Sequence, residues 1–157
     1  GSIIAKITHT GGELDSKTAR FLDLWEKDKK YTVEAFKKFS EKIQQRKDDL
    51  RNFLTNLKKD DKTIYAYGAP AKGNTLLNYF NIDHSLIDKA VEINEMKIGN
   101  YLPGSHIPIT RESEDDLPDY YLLLSHNFEE EIIKRNKDII ASGVKFIVPF
   151  PNIKVIK

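Results

Sequence analysis

The sequence predicts an α/β protein, a three-layer domain with a mostly parallel sheet, preceded by long N-terminal helices. Three observations carry this. From residue 62, short β-branched and aromatic runs alternate with helical apolar patterns, the order that builds a parallel sheet with helices on its faces. A glycine-bearing turn, "YGAPAKGNT", joins the first such run to the first such helix. Before residue 60, apolar positions recur at spacings of three, four and seven, one stripe along a long helix.

Taken in order, "IIAKITH" (3–9) reads as a short strand closed by Gly11-Gly12. Ser16 can cap a helix to about Lys27, with Leu14, Ala19, Phe21, Leu22 and Trp25 as its apolar members. Thr32 is a second cap. It opens the long helix whose stripe is Phe36, Phe39, Ile43, Leu50, Phe53, Leu54 and Leu57, ending near Lys59. Phe36, Phe39 and Phe53 are expected in the core. "TIYAYGA" is then a strand, "GNTLLNYFNI" a helix, and "KAVEIN" and "DYYLLLS" are strands. "EEEIIKRNKDIIASG" reads as one helix stopped by Gly143, and "KFIVPFP" as the last strand. Residues 1–60 are therefore a strand and helical linker, and 61–157 the sheet domain.

With 25 Lys and Arg against 24 Asp and Glu, no global field advertises a nucleic-acid partner, so any anion site must be local. The absence of cysteine excludes disulfides, thiolate metal sites and cysteine nucleophiles, and fits a cytoplasmic protein. Apolar runs such as "YYLLL" fall short of the roughly 20 residues a membrane helix needs, and no membrane partner is expected. The chain begins Gly-Ser without methionine and reads as an excised or processed piece.

Ligands of parallel sheets gather at the carboxyl ends of strands. That rule selects the turn after Tyr67, the segment after Ile93-Asn94, and Ser125-His126-Asn127. The turn Gly68-Ala69-Pro70-Ala71-Lys72-Gly73-Asn74-Thr75 lies one residue from the phosphate-loop pattern G-x-x-x-x-G-K-[ST], with the lysine a place early. Helix amides and the helix dipole favour an anion there, Gly68 and Gly73 would open the backbone to it, and Lys72 would add charge. On this reading a valine at Gly73 blocks the anion and leaves the packing behind it intact. The alternative is a glycine turn that only closes strand against helix. Pro70 replaces the middle glycine of the dinucleotide fingerprint G-x-G-x-x-G, which argues against a nicotinamide-dependent fragment. Glu92, however, 24 residues beyond Gly68, resembles that fold's ribose-binding acid.

"YGAPAKGNTLLNYF", "VEINEMKIGNYLPGSHIPI", "DYYLLLSHNFEEEI" and "GVKFIVPFP" together resemble the C-terminal domain of the sugar C-methyltransferases, and the resemblance covers most of the chain. Even "GSIIAKITHTGG" resembles the last strand of that family's catalytic domain. The resemblance implies a Rossmann-like domain that holds a nucleotide-diphosphate sugar for a preceding methyltransferase domain. No catalytic residue, cofactor or metal is then expected in this chain. S-adenosylmethionine and zinc belong to the family's other domains. Two departures stand out: Glu92, Asn94 and Glu95 replace a usual Asp, Asn or Arg-Asn, and Pro, and His126 stands where many members carry Trp.

Gly68 to Thr75 would cradle the diphosphate, with Glu92 or the loop 97–106 near the ribose or base. Lys72 either neutralises phosphate or is solvated, and Asn78 either reaches a ligand or caps its neighbours. In the loop, Lys97, Tyr101, Gly104 and His106 are candidates, Tyr101 offering a ring and His106 a titratable donor. Leu102, Ile107 and Ile109 are expected only to pack it down. His126 and Asn127 complete the set, while His9 and His84 read as surface residues. A free-standing, non-enzymatic binding or interaction domain with a degenerate phosphate loop is the competing reading, its long helix docking a partner.

Overall fold

The computed structural model describes residues 15–27 and 32–157. The expected strand at 3–9 lies outside them. The chain divides into two compact units, Gly1–Lys42 and Ile43–Lys157.

In the first unit, helix α1 spans Ser16–Lys27. Its cap is Asp15 rather than Ser16: the Asp15 carboxylate accepts from the amides of Lys17 (2.9 Å) and Thr18 (3.0 Å), leaving Ser16 inside the first turn. Helix α2 spans Val33–Lys59, and Thr32 caps it as expected, its Oγ1 accepting from the Ala35 amide at 3.1 Å. Phe36 and Phe39, expected in the core, are instead 57% and 61% exposed. Periodicity shows which face of a helix is apolar, not whether anything covers it. From Ile43 onward the same helix belongs to the second unit. There Leu50 and Leu54 are buried, and Ile43, Phe53 and Leu57 pack against the core.

The second unit is a six-stranded sheet in the order β3-β2-β1-β4-β5-β6. The strands are β1 Ile64–Tyr67, β2 Lys89–Glu92, β3 Ile109–Arg111, β4 Tyr120–Leu123, β5 Lys145–Val148 and β6 Lys154–Ile156. All neighbours pair parallel except β5 and β6. This is the doubly wound Rossmann-like order, and its switch point lies between β1 and β4. Strands alternate their side chains between two buried faces. Ile64, Ala66 and Leu122 face a core shared with Leu50 and Leu54 of α2 and with Leu76, Leu77 and Phe80 of helix α3 (Ala71–Phe80). Tyr67, Tyr121, Leu123 and Phe146 face the second core, packed by Ile132, Ile133, Ile139 and Ile140 from helices α4 (Glu129–Arg135) and α5 (Lys137–Ala141).

Those last two helices correct the single one expected over 129–143. The break is at Asn136, which is buried and whose Nδ2 donates to Tyr67 Oη (3.0 Å) and Ile132 O (2.8 Å). Strands β3 and β6 are additions, three residues each. At the amino end of the sheet, Asp88 and Asp119 accept hydrogen bonds from the amides of Ile64 (2.8 Å) and Thr63 (2.9 Å). No helix among the described residues is long and apolar enough to cross a membrane.

Candidate functional site

The turn from β1 to α3 sits at the switch point. Gly68 has φ +83°, a conformation glycine adopts without strain, and its amide donates to Val91 O at 2.9 Å. A Cβ there would also come within 3.3 Å of Ser125 Oγ, so the turns after β1 and β4 meet at this residue. Helix α3 begins after Pro70, and no side chain caps its first turn. The first-turn amides of Ala71, Lys72 and Gly73 thus lack a side-chain acceptor. Lys72 is exposed and forms no ion pair with a described residue. Asn74 is half-buried. Thr75 is turned back along the helix, its Oγ1 donating to Ala71 O at 3.2 Å.

Gly73 departs from the expectation that it opens the backbone to an anion. It is a buried helical residue whose Cβ would lie 2.6 Å from Leu124 Cβ and 3.1 Å from Pro70 Cγ. Its bareness lets α3 lie against the end of β4, the part played by the third glycine of the dinucleotide fingerprint. A valine there would collide with the packing rather than leave it intact. The signal was legible: Gly73 occupies the third fingerprint position.

The turn after β2 is organised differently. Glu92 Oε1 accepts from the amides of Ile93 (2.9 Å) and Asn94 (3.2 Å), and Oε2 from the Ala69 amide (3.1 Å) and Lys97 Nζ (3.3 Å). Lys97 Nζ also donates to Ala69 O at 2.9 Å. Burial opposes the Glu92 charge, but these donors outweigh it and hold the carboxyl below its ordinary range. These four donors occupy the carboxylate, which clasps its own loop to Ala69.

Farther on, Asn78 Nδ2 donates to Pro103 O (2.9 Å) and Asn74 O (2.8 Å), tying α3 to the following loop. Gly104, at φ +81°, lies directly on Asn78: a Cβ would fall 1.9 Å from its Oδ1. Leu102, Ile107 and Ile109 are buried, as expected. Tyr101 is exposed, beside Asn74 and Lys97 in a cavity of about 490 Å³. His106, at φ +55°, is exposed and closes the hairpin through its amide to Leu102 O, lining none of the cavities around α3. His84 is exposed. His126 and Asn127 meet Ala71 and Lys72 across a cavity of about 330 Å³. The buried His126 Nδ1 has no hydrogen-bond partner there, and its ring packs on Phe150 at 5.5 Å.

Sequence reasoning missed a third cavity, about 270 Å³, at the carboxyl ends of β1, β2 and β4. Tyr67, Gly68, Ser125 and Glu112 line it, with Glu131 and Arg135 from α4. Arg135 donates to Tyr67 Oη and lies 3.6 Å from Glu112. Burial raises the Tyr67 pKa despite its bonds from Arg135 and Asn136, so the phenol stays protonated. An arginine twelve residues beyond the end of β4 carries no motif; only the packing of α4 brings it here.

Residues 1–151 match the family described as the C-methyltransferase C-terminal domain. The chain is also 36% identical, over 123 residues, to the C-methyltransferase NovU of Streptomyces niveus. That match covers 77% of this chain and 29% of the relative, under a third of its length.

Proposed function

The chain belongs to the C-methyltransferase C-terminal domain family, and on that premise we propose that it holds a nucleotide-linked keto sugar by its diphosphate. A preceding S-adenosylmethionine-dependent domain would methylate a carbon of that sugar, in deoxysugar biosynthesis. The observation that carries this reading is the start of α3. An uncapped helix N-terminus, a Lys72 with no ion pair among the described residues and a side-chain-free Gly68 converge at the switch point of a doubly wound sheet. Backbone amides with the helix dipole behind them suit phosphate oxygens, and a lysine acts as a point charge beside them.

We assign the methyl donor to the preceding domain rather than to this turn. Its ribose would look for a free acid at the end of β2, and Glu92 is saturated by its own chain. Among the described residues no group of three His, Asp or Glu can hold a metal ion, so no step is assigned to zinc here. The chain's part is to bind and orient.

Calorimetric titration with dTDP and GDP tests this. Lys72→Ala is expected to weaken binding several-fold, with the melting temperature unchanged because the side chain is solvated. Equal affinity in wild type and variant removes the lysine from the site. Tight, stoichiometric binding of S-adenosylmethionine by the chain would overturn the assignment of the donor to another domain.

A further inference from the structure

The cavity of about 270 Å³ at the switch point lies beside the proposed phosphate site but is walled differently. Strands β2 and β4 flank β1 on opposite sides, and each contributes one exposed apolar side chain just past its carboxyl end. Ile93 follows β2 and is 65% exposed; Phe128, in the short 3₁₀ turn after β4, is 60% exposed. Both line the cavity, from its two sides. Between them the floor is Gly68, which presents no side chain. Ser125 and Phe128 also line the neighbouring cavity that holds Lys72, so the two spaces adjoin.

The polar wall comes from α4. Glu131 and Arg135 stand one turn apart and line the same cavity, an acceptor beside a donor. Arg135 is fixed in place by Tyr67 and Glu112, whereas Glu131 forms no ion pair with a described residue. Apolar flanks, one of them an aromatic ring, with an acceptor and a donor at one edge suit a planar heterocycle with an N–H beside a carbonyl or ring nitrogen. They do not suit a sugar, whose hydroxyls project all round, nor a phosphate, which three nearby carboxylates would repel.

We propose that this cavity seats the base of the nucleotide, stacked between Ile93 and Phe128, with Glu131 and Arg135 reading its edge. The inference rests on the diphosphate reading above, and it turns the ligand's direction into a statement about residues. The base points toward α4, and the diphosphate toward the start of α3.

Titrating the chain with dTDP, GDP and inorganic pyrophosphate separates the two readings. At least one nucleoside diphosphate is expected to bind on the order of tenfold tighter than pyrophosphate, the scale of one stacked base. Ile93→Ala, at an exposed position that does not line the Lys72 cavity, should remove much of that advantage and leave pyrophosphate affinity unchanged. Glu131→Gln should weaken the nucleotide without weakening pyrophosphate. If nucleotide and pyrophosphate bind equally, the base has no seat here, while the phosphate site stands. A nucleotide advantage that survives both Phe128→Ala and Ile93→Ala puts the base elsewhere and overturns the proposal. If none of the three probes binds, the diphosphate reading fails, and this inference with it.

Discussion

The turns that follow β1 and β2 lie side by side at the carboxyl edge of one sheet, yet their polar groups have opposite fates. After β2, every strong group is answered from within. Glu92 takes four donors, Lys97 is held by Ala69 and Glu92, and Asn94 Oδ1 accepts from the Met96 amide at 3.0 Å. After β1, the first-turn amides of α3 have no side-chain cap and Lys72 has no counter-ion among the described residues. Buried or half-buried polar groups with partners at home hold shape; those left without are where a ligand can gain something. Proximity to the switch point alone does not separate the two turns. Satisfaction does.

The largest blow to this division is Gly73→Val. It puts branched carbon into Leu124 and Pro70, and should cost about 3 kcal/mol in urea unfolding as overpacking between helix and strand. Preserved stability would mean that α3 does not lie as closely on β4 as the geometry has it. Gly104→Ala comes next. It combines a positive φ with displacement of Asn78 from Pro103, and about 1–2 kcal/mol should be lost, with nucleotide affinity per folded molecule retained. If affinity falls instead, the loop belongs to the ligand and not only to the scaffold.

Glu92→Gln is the mildest and sharpens the comparison by pH. The folded carboxyl titrates below its ordinary value of 4.5, so the stability it contributes is complete above that value. It is lost as pH falls through the folded pKa. The variant should therefore be about 1 kcal/mol less stable at pH 7, and the gap should close as the pH drops below 4.5. A gap that persists in acid would mean shape, not charge, makes the clasp.

Much of the architecture was readable because strands and helices here differ in period. Ile64 to Tyr67 and Tyr120 to Leu123 announce themselves as apolar runs bounded by polar turns. What escaped depends on partners distant in sequence. β3 hides in "IPITR", where Pro108 suggests a loop and only pairing with β2 makes a strand. The break at Asn136 is invisible until Tyr67 is placed opposite it. Of the candidate site, the β1 turn and the position of Glu92 could be named from spacing. That the Glu92 carboxylate is already occupied, and that Arg135 swings in from α4, follow only from packing.

Asp88 and Asp119, at the opposite edge of the sheet, bear on how the strands find their alignment. β1 is covered on both faces, so apolar character by itself says little about whether it pairs in step with β2 and β4 or one residue out. Each aspartate sits just ahead of one of those flanking strands and grips a different amide at the start of β1, Ile64 for Asp88 and Thr63 for Asp119. A slip of one residue would pull both carboxylates off their backbone amides together. The pair works like the two pins of a jig. It favours the aligned sheet by charge, at the edge opposite the candidate site, so that the loops at the carboxyl edge are free to vary.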